Sequence, residues 1–284
     1  MNNNPAFPIP DSVTIHWGDG VSKKIGRTSS AIFSGQIVLQ NYTGEYTYDG
    51  PGTYIITVED CCLKEEFINF DAEPPVSSEV NALYTLFNCQ FQGCNNTAKL
   101  LSPLVENGYI GQPINYNPAA FDSDGDSLAY TIFNPLTEFN YHFPNEVMPM
   151  PSNQFSINQQ TGTITWNNPA KAGDYLVGLK IAEFRHQTLI AETAHLLDFR
   201  VFDLDLSLFP NPTASELTVN FLPAVPDEKL QVRIYNVLGQ LVLEEAGVFT
   251  STGYPINVHD FANGVYLLEL EAFGQKWVRK FVKS

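Results

Sequence analysis

The chain has 284 residues, 44% of them hydrophobic, and carries 31 acidic against 15 basic side chains, a formal net charge of −16. This length allows two or three domains with buried cores, unless one large β fold takes it all. The negative charge would repel phosphate backbones and anionic lipid, so we expect no nucleic-acid partner and no binding to membrane surfaces. No apolar run is long enough to span a bilayer, so membrane insertion is not expected.

The hydrophobic pattern is that of strands rather than helices. No long stretch places apolar residues at i, i+3, i+4 and i+7, whereas short alternating runs separated by Gly, Pro, Asn and Asp recur throughout. The pattern therefore predicts an all-β chain built from sandwiches.

Residues 1–72 contain two strand-and-turn motifs. The stretch SVTIHWGDG places Val13, Ile15 and Trp17 on one face of a strand and ends in a Gly-Asp-Gly turn. The later stretch YTGEYTYDGPGTYIITVED supplies a hairpin with a Gly-Pro-Gly turn. Together they resemble the PKD family of Ig-like domains, which implies an Ig fold here, either complete or incomplete. In that family these residues specify the fold and perform no chemistry.

Residues 73–203 carry a second set of motifs. They are YIGQPINYNPAAFDSDGDSLAYTI, FSINQQTGTITW, in which Gly162 makes a hairpin turn, and AGDYLVGLKIAEFR, an alternating strand. Their order resembles a cadherin-like domain of the kind repeated in large surface and secreted proteins of Bacteroidetes. Residues 135–151 interrupt that order and are interpreted as an inserted loop.

An acidic loop in this segment has carboxylates at alternate positions, in Asp122, Asp124 and Asp126. Carboxylate oxygens around a glycine suit Ca²⁺, and Glu183 is the further ligand we expect if an ion binds. The loop is not an EF-hand, because its sixth and twelfth positions are Ser and Phe. Cadherin repeats also have an acidic motif before the last strand, where this chain has NNPAKAG without an acid. Calcium binding and an ordinary Asp-Gly turn therefore both stay open, and no other cofactor is expected.

Four cysteines lie in one part of the chain, namely Cys61, Cys62, Cys89 and Cys94. Their spacing is not that of a zinc site, so they are disulfide candidates in an oxidising compartment or small buried residues in a reducing one. Cys89 and Cys94 bracket the stretch QFQG, interpreted as a hairpin turn, and are the first choice for a local bridge. Cys61 and Cys62 would point to opposite faces of a strand.

Residues 204–284 open with a Pro-Asn-Pro corner in LFPNPTASELTVNF, which leads into an alternating strand. A hairpin follows in LQVRIYNVLGQLVLEE, then INVHDFANGVYLLELEA and the terminal QKWVRKFVKS. Over its whole length this segment resembles the type A sorting domain of the type IX secretion system of Bacteroidetes. The resemblance implies a segment read by the outer-membrane export machinery, with the cargo released or attached to the surface. The residues taken as the sorting signal are Pro210, Asn211, Pro212, Gly239, Gly264, Tyr266, Lys280 and Lys283.

Four bases fall within the last nine residues of this acidic chain, namely Lys276, Arg279, Lys280 and Lys283. They predict a local positive patch that a receptor recognises. The alternative is an exposed edge strand that lysines protect against aggregation, and the two interpretations are compatible.

The N-terminal stretch MNNNPAFPIPD has neither a basic n-region nor an apolar h-region, so no signal peptide is expected in this chain. Cargo of the type IX system crosses the inner membrane by such a signal. The resemblance therefore implies a fragment, a mature form or a misplaced start. The expected location is secreted or on the outer cell surface.

No catalytic motif is visible: GxSxG, HExxH, the P-loop and the dinucleotide fingerprint are all missing, and the five histidines are scattered. We interpret the chain as a non-catalytic binding or adhesion protein whose ligand is an unidentified surface protein or glycan. The alternatives are a fragment of a larger secreted enzyme or a glycan-binding accessory module. The latter would use the loop aromatics Tyr109, Phe139, Tyr141 and Phe143.

Overall fold

The computed structural model describes residues 10–34, 37–60, 67–71, 78–136, 139–222, 228–250 and 252–284. These residues form 23 strands and two helices of four residues each. Neither helix is long or apolar enough to cross a membrane. The predicted all-β class is therefore confirmed.

The elements are numbered in chain order. The strands up to residue 133 are β1 (Ser12–His16), β2 (Ser22–Ser34), β3 (Ile37–Tyr42), β4 (Gly52–Asp60), β5 (Phe70–Asp71), β6 (Ser78–Leu86), β7 (Lys99–Leu100), β8 (Val105–Tyr109), β9 (Ile114–Tyr116), β10 (Ala120–Phe121) and β11 (Ser127–Phe133). The later strands are β12 (Asn140–Tyr141), β13 (Gln154–Ile157), β14 (Ile164–Asn167), β15 (Gly173–Arg185), β16 (Thr188–Phe202), β17 (Asp205–Phe209), β18 (Glu216–Leu222), β19 (Glu228–Asn236), β20 (Leu241–Phe249), β21 (Tyr254–Asn257), β22 (Gly264–Ala272) and β23 (Gln275–Lys283). The helices are α1 (Cys89–Gln92) and α2 (Pro144–Val147).

The chain divides into two compact units, of which unit 1 comprises residues 1–106, 114–166 and 173–200. Its main sheet has the strand order β11-β15-β16-β6-β4-β1-β2-β3, with β8 also paired to β16. Strand β6 pairs with β4 from Gly52↔Leu86 to Asp60↔Ser78, and with β16 on its other side. One sheet therefore crosses the boundary predicted at residue 72, and the three predicted domain ranges stay a prediction.

The core of unit 1 lies where β14, β15 and β16 bring large aromatic side chains together. Trp166, Tyr175 and Phe199 are at most 1% exposed. The Trp166 ring meets Tyr175 and Phe199 edge to face, with ring centroids 4.8 and 6.3 Å apart. Because its indole N–H would otherwise be buried without a partner, Trp166 donates to Asn153 Oδ1 at 2.7 Å.

Strand β15 is buried on both faces. The residues predicted to alternate on one face are all at most 1% exposed: Tyr175, Val177, Leu179 and Ile181. On the other face Leu176 packs in a second cluster with Phe67 and Leu136. Tyr141 also donates its hydroxyl to the carbonyl of Leu176 at 2.9 Å. Three residues of the segment predicted as an inserted loop therefore pack on β15, namely Leu136, Phe139 and Tyr141.

Unit 2 comprises residues 107–113, 167–172 and 201–284. Its sheets, β17-β18-β21 and β20-β19-β22-β23, enclose a single core, and the small C-terminal sandwich is thus confirmed. The predicted alternation of β18 is observed, since Leu217, Val219 and Phe221 are at most 1% exposed. The predicted hairpin is β19 and β20, with Ile234 opposite Leu243.

Two short segments that the sequence did not assign to this sandwich belong to unit 2. The ring of Tyr109 packs 5.1 Å from that of Phe273, and the amide of Gln275 donates to the carbonyl of Ile110. Gly111 N–H donates to the carbonyl of Pro169 at 2.8 Å, which ties the two added segments together. The sandwich is therefore completed by residues distant in sequence.

Candidate functional site

The acidic loop joins β10 to β11, and one carboxylate oxygen from each of Asp122, Asp124 and Asp126 lies within 4.8 Å of the others. Glu183 lies next to the loop because it stands opposite Leu128 in the pairing of β15 with β11. The structure therefore brings the three predicted aspartates together, whereas Glu183 lies beside the loop and outside this group of carboxylate oxygens.

Most oxygens of the loop are already bonded within the protein. Asp122 Oδ1 accepts the backbone N–H groups of residues 124 and 126 at 2.9 and 3.0 Å. Arg185 Nε and Nη2 donate to the two oxygens of Asp126 at 2.8 and 2.6 Å. Asp124 accepts from the backbone and side chain of Asn96, whose backbone N–H lowers the pKa of Asp124. Arg185 is thus a built-in cation that the sequence reasoning missed, because it lies 59 residues from Asp126.

Two buried oxygens at this site lack a partner among the described residues, namely Glu183 Oε2 and Asp122 Oδ2. Glu183 is fully buried, and its other oxygen accepts the N–H of Ala98 at 2.7 Å. Burial raises the pKa of Glu183, and the charges of Asp122 and Asp126 raise it further. Carboxylate oxygens suit Ca²⁺, and among the described residues these two are the oxygens of the four acids that accept no hydrogen bond. Calcium binding stays a prediction.

The Pro-Asn-Pro corner, residues 210–213, lies against the C-terminal strand. Asn211 Oδ1 accepts the N–H of Val282 at 2.9 Å, and its amide donates to the carbonyl of Lys280 at 3.3 Å. Thr213 N–H donates to the carbonyl of Val282 at 2.9 Å, and Ser284 N–H donates to that of Thr213 at 2.8 Å. The corner therefore holds the edge of β23.

The other motif residues converge on the same end of the four-stranded sheet. In the pairing of β22 with β23, Gly264 is opposite Lys283 and Tyr266 is opposite Phe281. Tyr266 is 7% exposed, stacks on Phe281 at 5.4 Å and donates its hydroxyl to the carbonyl of residue 262. The turn at Gly239, where φ is +74°, follows Asn236, which is paired with Tyr266. We call this region, residues 210–213, 236–240, 264–267 and 280–284, the signature end.

The predicted positive patch is largely neutralised by local partners. Lys276 Nζ lies 2.8 Å from Glu269, and Arg279 Nη2 lies 2.8 Å from Asp205. Lys283 is 6% exposed, because the alternation of β23 turns it toward the interior, and it donates to the carbonyl of residue 284. The fourth base, Lys280, is exposed, and its ammonium group has no ion-pair partner among the described residues.

The aromatics proposed for glycan binding are packed in the structure. Phe139 joins the cluster under β15, and the ring of Phe143 lies 5.3 Å from the half-buried Tyr141, whose pKa burial raises strongly. Tyr109 packs against the core of unit 2. The region around Tyr141 is therefore an anchor of the fold rather than an exposed aromatic platform.

The sulfurs of Cys89 and Cys94 are bonded at 2.07 Å. The residues between them form the short helix α1 instead of the expected hairpin turn, because the side chain of Asn88 caps it by accepting the N–H of Gln90. Cys61 and Cys62 lie outside the described residues.

Residues 207–284 match the family model of the secretion system C-terminal sorting domain. A sorting domain of this kind implies interaction with the type IX secretion machinery and delivery to the outer surface or the medium. None of the curated proteins matches the chain in sequence.

Solved structures with similar arrangements include dimeric latent PorU from Porphyromonas gingivalis, at 14% identity, with a TM-score of 0.24, over 96% of this chain and 29% of that one. Chicken CNTN1 domains FN1–FN3 align at 10% identity over 96% of this chain and 87% of that one, with a TM-score of 0.29. A SusE-like surface-located polysaccharide-binding protein from Bacteroides thetaiotaomicron aligns at 12% identity over 58% of this chain and 79% of that one, with a TM-score of 0.21. This chain spans about three tenths of the length of PorU. At these TM-scores none of the likenesses bears on function.

Proposed function

We propose that this chain is a non-catalytic binding or adhesion protein, exported through the type IX secretion machinery by residues 204–284 and then released or held at the cell surface. One observation carries the proposal: short motifs spread over more than 70 residues meet at one end of one sheet, within the segment that matches a sorting-domain family. A receptor contacts residues that lie on one surface of the folded protein. Motifs that are distant in sequence can therefore be recognised together only if the fold brings them together, as it does here.

The remaining residues form the cargo part. We propose a PKD-like region at 1–72 and a cadherin-like region at 73–203, which together present a ligand-binding surface. The ligand is a surface protein or a glycan. No catalytic motif in the sequence argues for an enzyme, and sandwiches commonly act by binding at their surfaces.

Export of the full chain tests the proposal. The chain would be preceded by a general secretory signal and expressed in a bacterium with a working type IX system and in a matched strain without it. We expect the protein on the surface or in the medium of the first strain and in the periplasm of the second. Retention in the periplasm of both strains, while a known cargo leaves the first, contradicts the proposal.

A further inference from the structure

The outer face of the four-stranded sheet carries an apolar row at the signature end. Ile234, Leu268 and Phe281 are fully buried, so the neighbouring positions in β19, β22 and β23 face outward. The pairings place these neighbours in one row across the sheet: Leu241, Tyr235, Leu267 and Lys280. Leu241 is 49% and Leu267 44% exposed. The row thus consists of three large, mainly apolar side chains followed by the ammonium group of Lys280.

A second row extends this apolar surface toward the end of the sheet. Val265 is opposite Val282 in the pairing of β22 with β23 and is 39% exposed. The turn beside it carries Val237 and Leu238, which are 74% and 79% exposed. Clustered apolar side chains of this kind on a soluble domain mark an interaction site more often than scattered ones do.

In the other half of the same face, charged side chains that pair with one another separate two exposed valines, Val248 and Val278. Arg233 lies 2.8 Å from Glu244 and 3.2 Å from both Glu269 and Glu271. Lys276 adds its ion pair with Glu269. These charges satisfy one another, whereas Lys280 in the apolar half has no partner among the described residues. The face therefore combines an apolar half, a polar half and one cation that is available to a partner, and protein interfaces commonly join apolar and polar areas in this way.

We propose that this outer face, comprising the two rows and Lys280, is the surface to which a protein receptor of the export machinery binds. The receptor surface that fits it is apolar, with a carboxylate for Lys280. This inference rests on the proposed export function and names the partner-binding face within it. The rows lie at the signature end itself, so they are continuous with the motifs on which the sorting assignment depends.

A second copy of the chain fits the surface less well. In a two-fold contact centred on the row, Lys280 would meet Leu241 of the other copy and be buried without a carboxylate. The net charge of −16 also opposes self-association. Charge complementarity therefore favours a different protein with an acidic group.

The test compares two pairs of exposed substitutions in the full chain with its secretory signal. The first pair, Val265→Thr with Leu267→Thr, removes apolar area from the rows while keeping strand-forming residues. The control pair, Val248→Thr with Val278→Thr, changes valines that are 52% and 49% exposed in the polar half of the same face. We expect the first pair to lower the exported fraction about tenfold, with the protein accumulating in the periplasm, and the control pair to leave export unchanged. Lys280→Glu reverses the charge and should also lower the exported fraction. Lys280→Arg keeps the charge and should be exported like the unchanged chain.

Three outcomes separate the possibilities. If the unchanged chain is not exported, the proposed function fails and the inference fails with it. If the unchanged chain and the first pair are exported equally while both melt at the same temperature, the inference is overturned and the proposed function stands. If sedimentation shows a dimer that the first pair converts to monomers without loss of export, the surface is a contact between copies, and the inference is again overturned.

Discussion

Glu183 and Asp122 each bury one carboxylate oxygen that no described residue satisfies. An unpaired buried oxygen is costly unless a proton or a cation reaches it. Arg185 neutralises Asp126 beside them, so the nearest cation is already committed. At the residue scale, a proton and a metal ion therefore compete for the unpaired carboxylate oxygens of Glu183 and Asp122.

Replacing Glu183 by Gln tests protonation. The pKa of Glu183 is raised in the folded state, which means that the folded protein holds its proton to a higher pH than the unfolded chain does. The contribution of Glu183 to stability must then fall as pH rises above the ordinary glutamate range, and the Gln variant lacks this loss. In EDTA we expect the melting temperature of Glu183→Gln, relative to the unchanged protein, to increase between pH 4.5 and pH 7.5.

Glu45→Gln, at an exposed glutamate, is the control and should show no such trend. Calcium gives the opposite pattern. If millimolar calcium raises the melting temperature of the unchanged protein at pH 7.5 and the Gln variant loses that increase, a cation pairs with these oxygens rather than a proton.

At the scale of elements, the corner at residues 210–213 explains how the edge strand β23 stays in place. An edge strand is paired with a neighbouring strand on one side only, so further hydrogen bonds stabilise its other side. The side chain of Asn211 supplies a donor and an acceptor to β23, and Thr213 continues the hydrogen bonding to Ser284. The corner is therefore the clamp of the strand that carries Lys280.

Substitution of Asn211 should loosen this clamp. Asn211→Ala removes two hydrogen bonds, and we expect it to lower the free energy of unfolding by about 1–2 kcal/mol. Asn211→Asp keeps the acceptor for the N–H of Val282 and loses the donor, so it should cost roughly half as much. Urea unfolding of the full chain measures both. Equal stability of all three proteins would mean that the corner does not hold β23.

At the scale of the whole molecule, the two compact units do not follow the sequence segments. Residues 107–113 lie in the middle of the predicted cadherin-like segment, yet they pack in unit 2. Tyr109 and Ile110 contact Phe273 and Gln275, in the hairpin between β22 and β23. The C-terminal sandwich is thus continuous with part of the preceding segment.

A chain that ends after Asp203 tests this continuity. We expect its nine-stranded sheet to stay folded, because none of those strands lies beyond residue 202. The amides of residues 110–112 keep their acceptors in Phe202, Pro169 and Tyr109, but the segment loses the packing of Tyr109 on Phe273 and the bond from Gln275 to Ile110. These amides should therefore exchange with solvent faster, while those of β15 stay protected. Hydrogen exchange read by mass spectrometry compares the two chains. Unchanged exchange at residues 107–113 would show that this segment is independent of the C-terminal sandwich, as the sequence alone suggested.

Local sequence patterns were enough to predict the all-β class, the core-facing residues of β15 and β18, the β19–β20 hairpin and the resemblance of the C-terminal segment to a sorting domain. These depend on local alternation and on turn residues such as Gly239, which the order of amino acids records directly. Four features became visible in the fold alone. Arg185 neutralises Asp126 in the acidic loop, Tyr141 anchors the fold, one sheet crosses residue 72, and the motifs of the signature end share one end of a sheet. Each of these depends on strand pairing between distant residues, and periodicity specifies which face a residue takes without specifying which strand lies beside it.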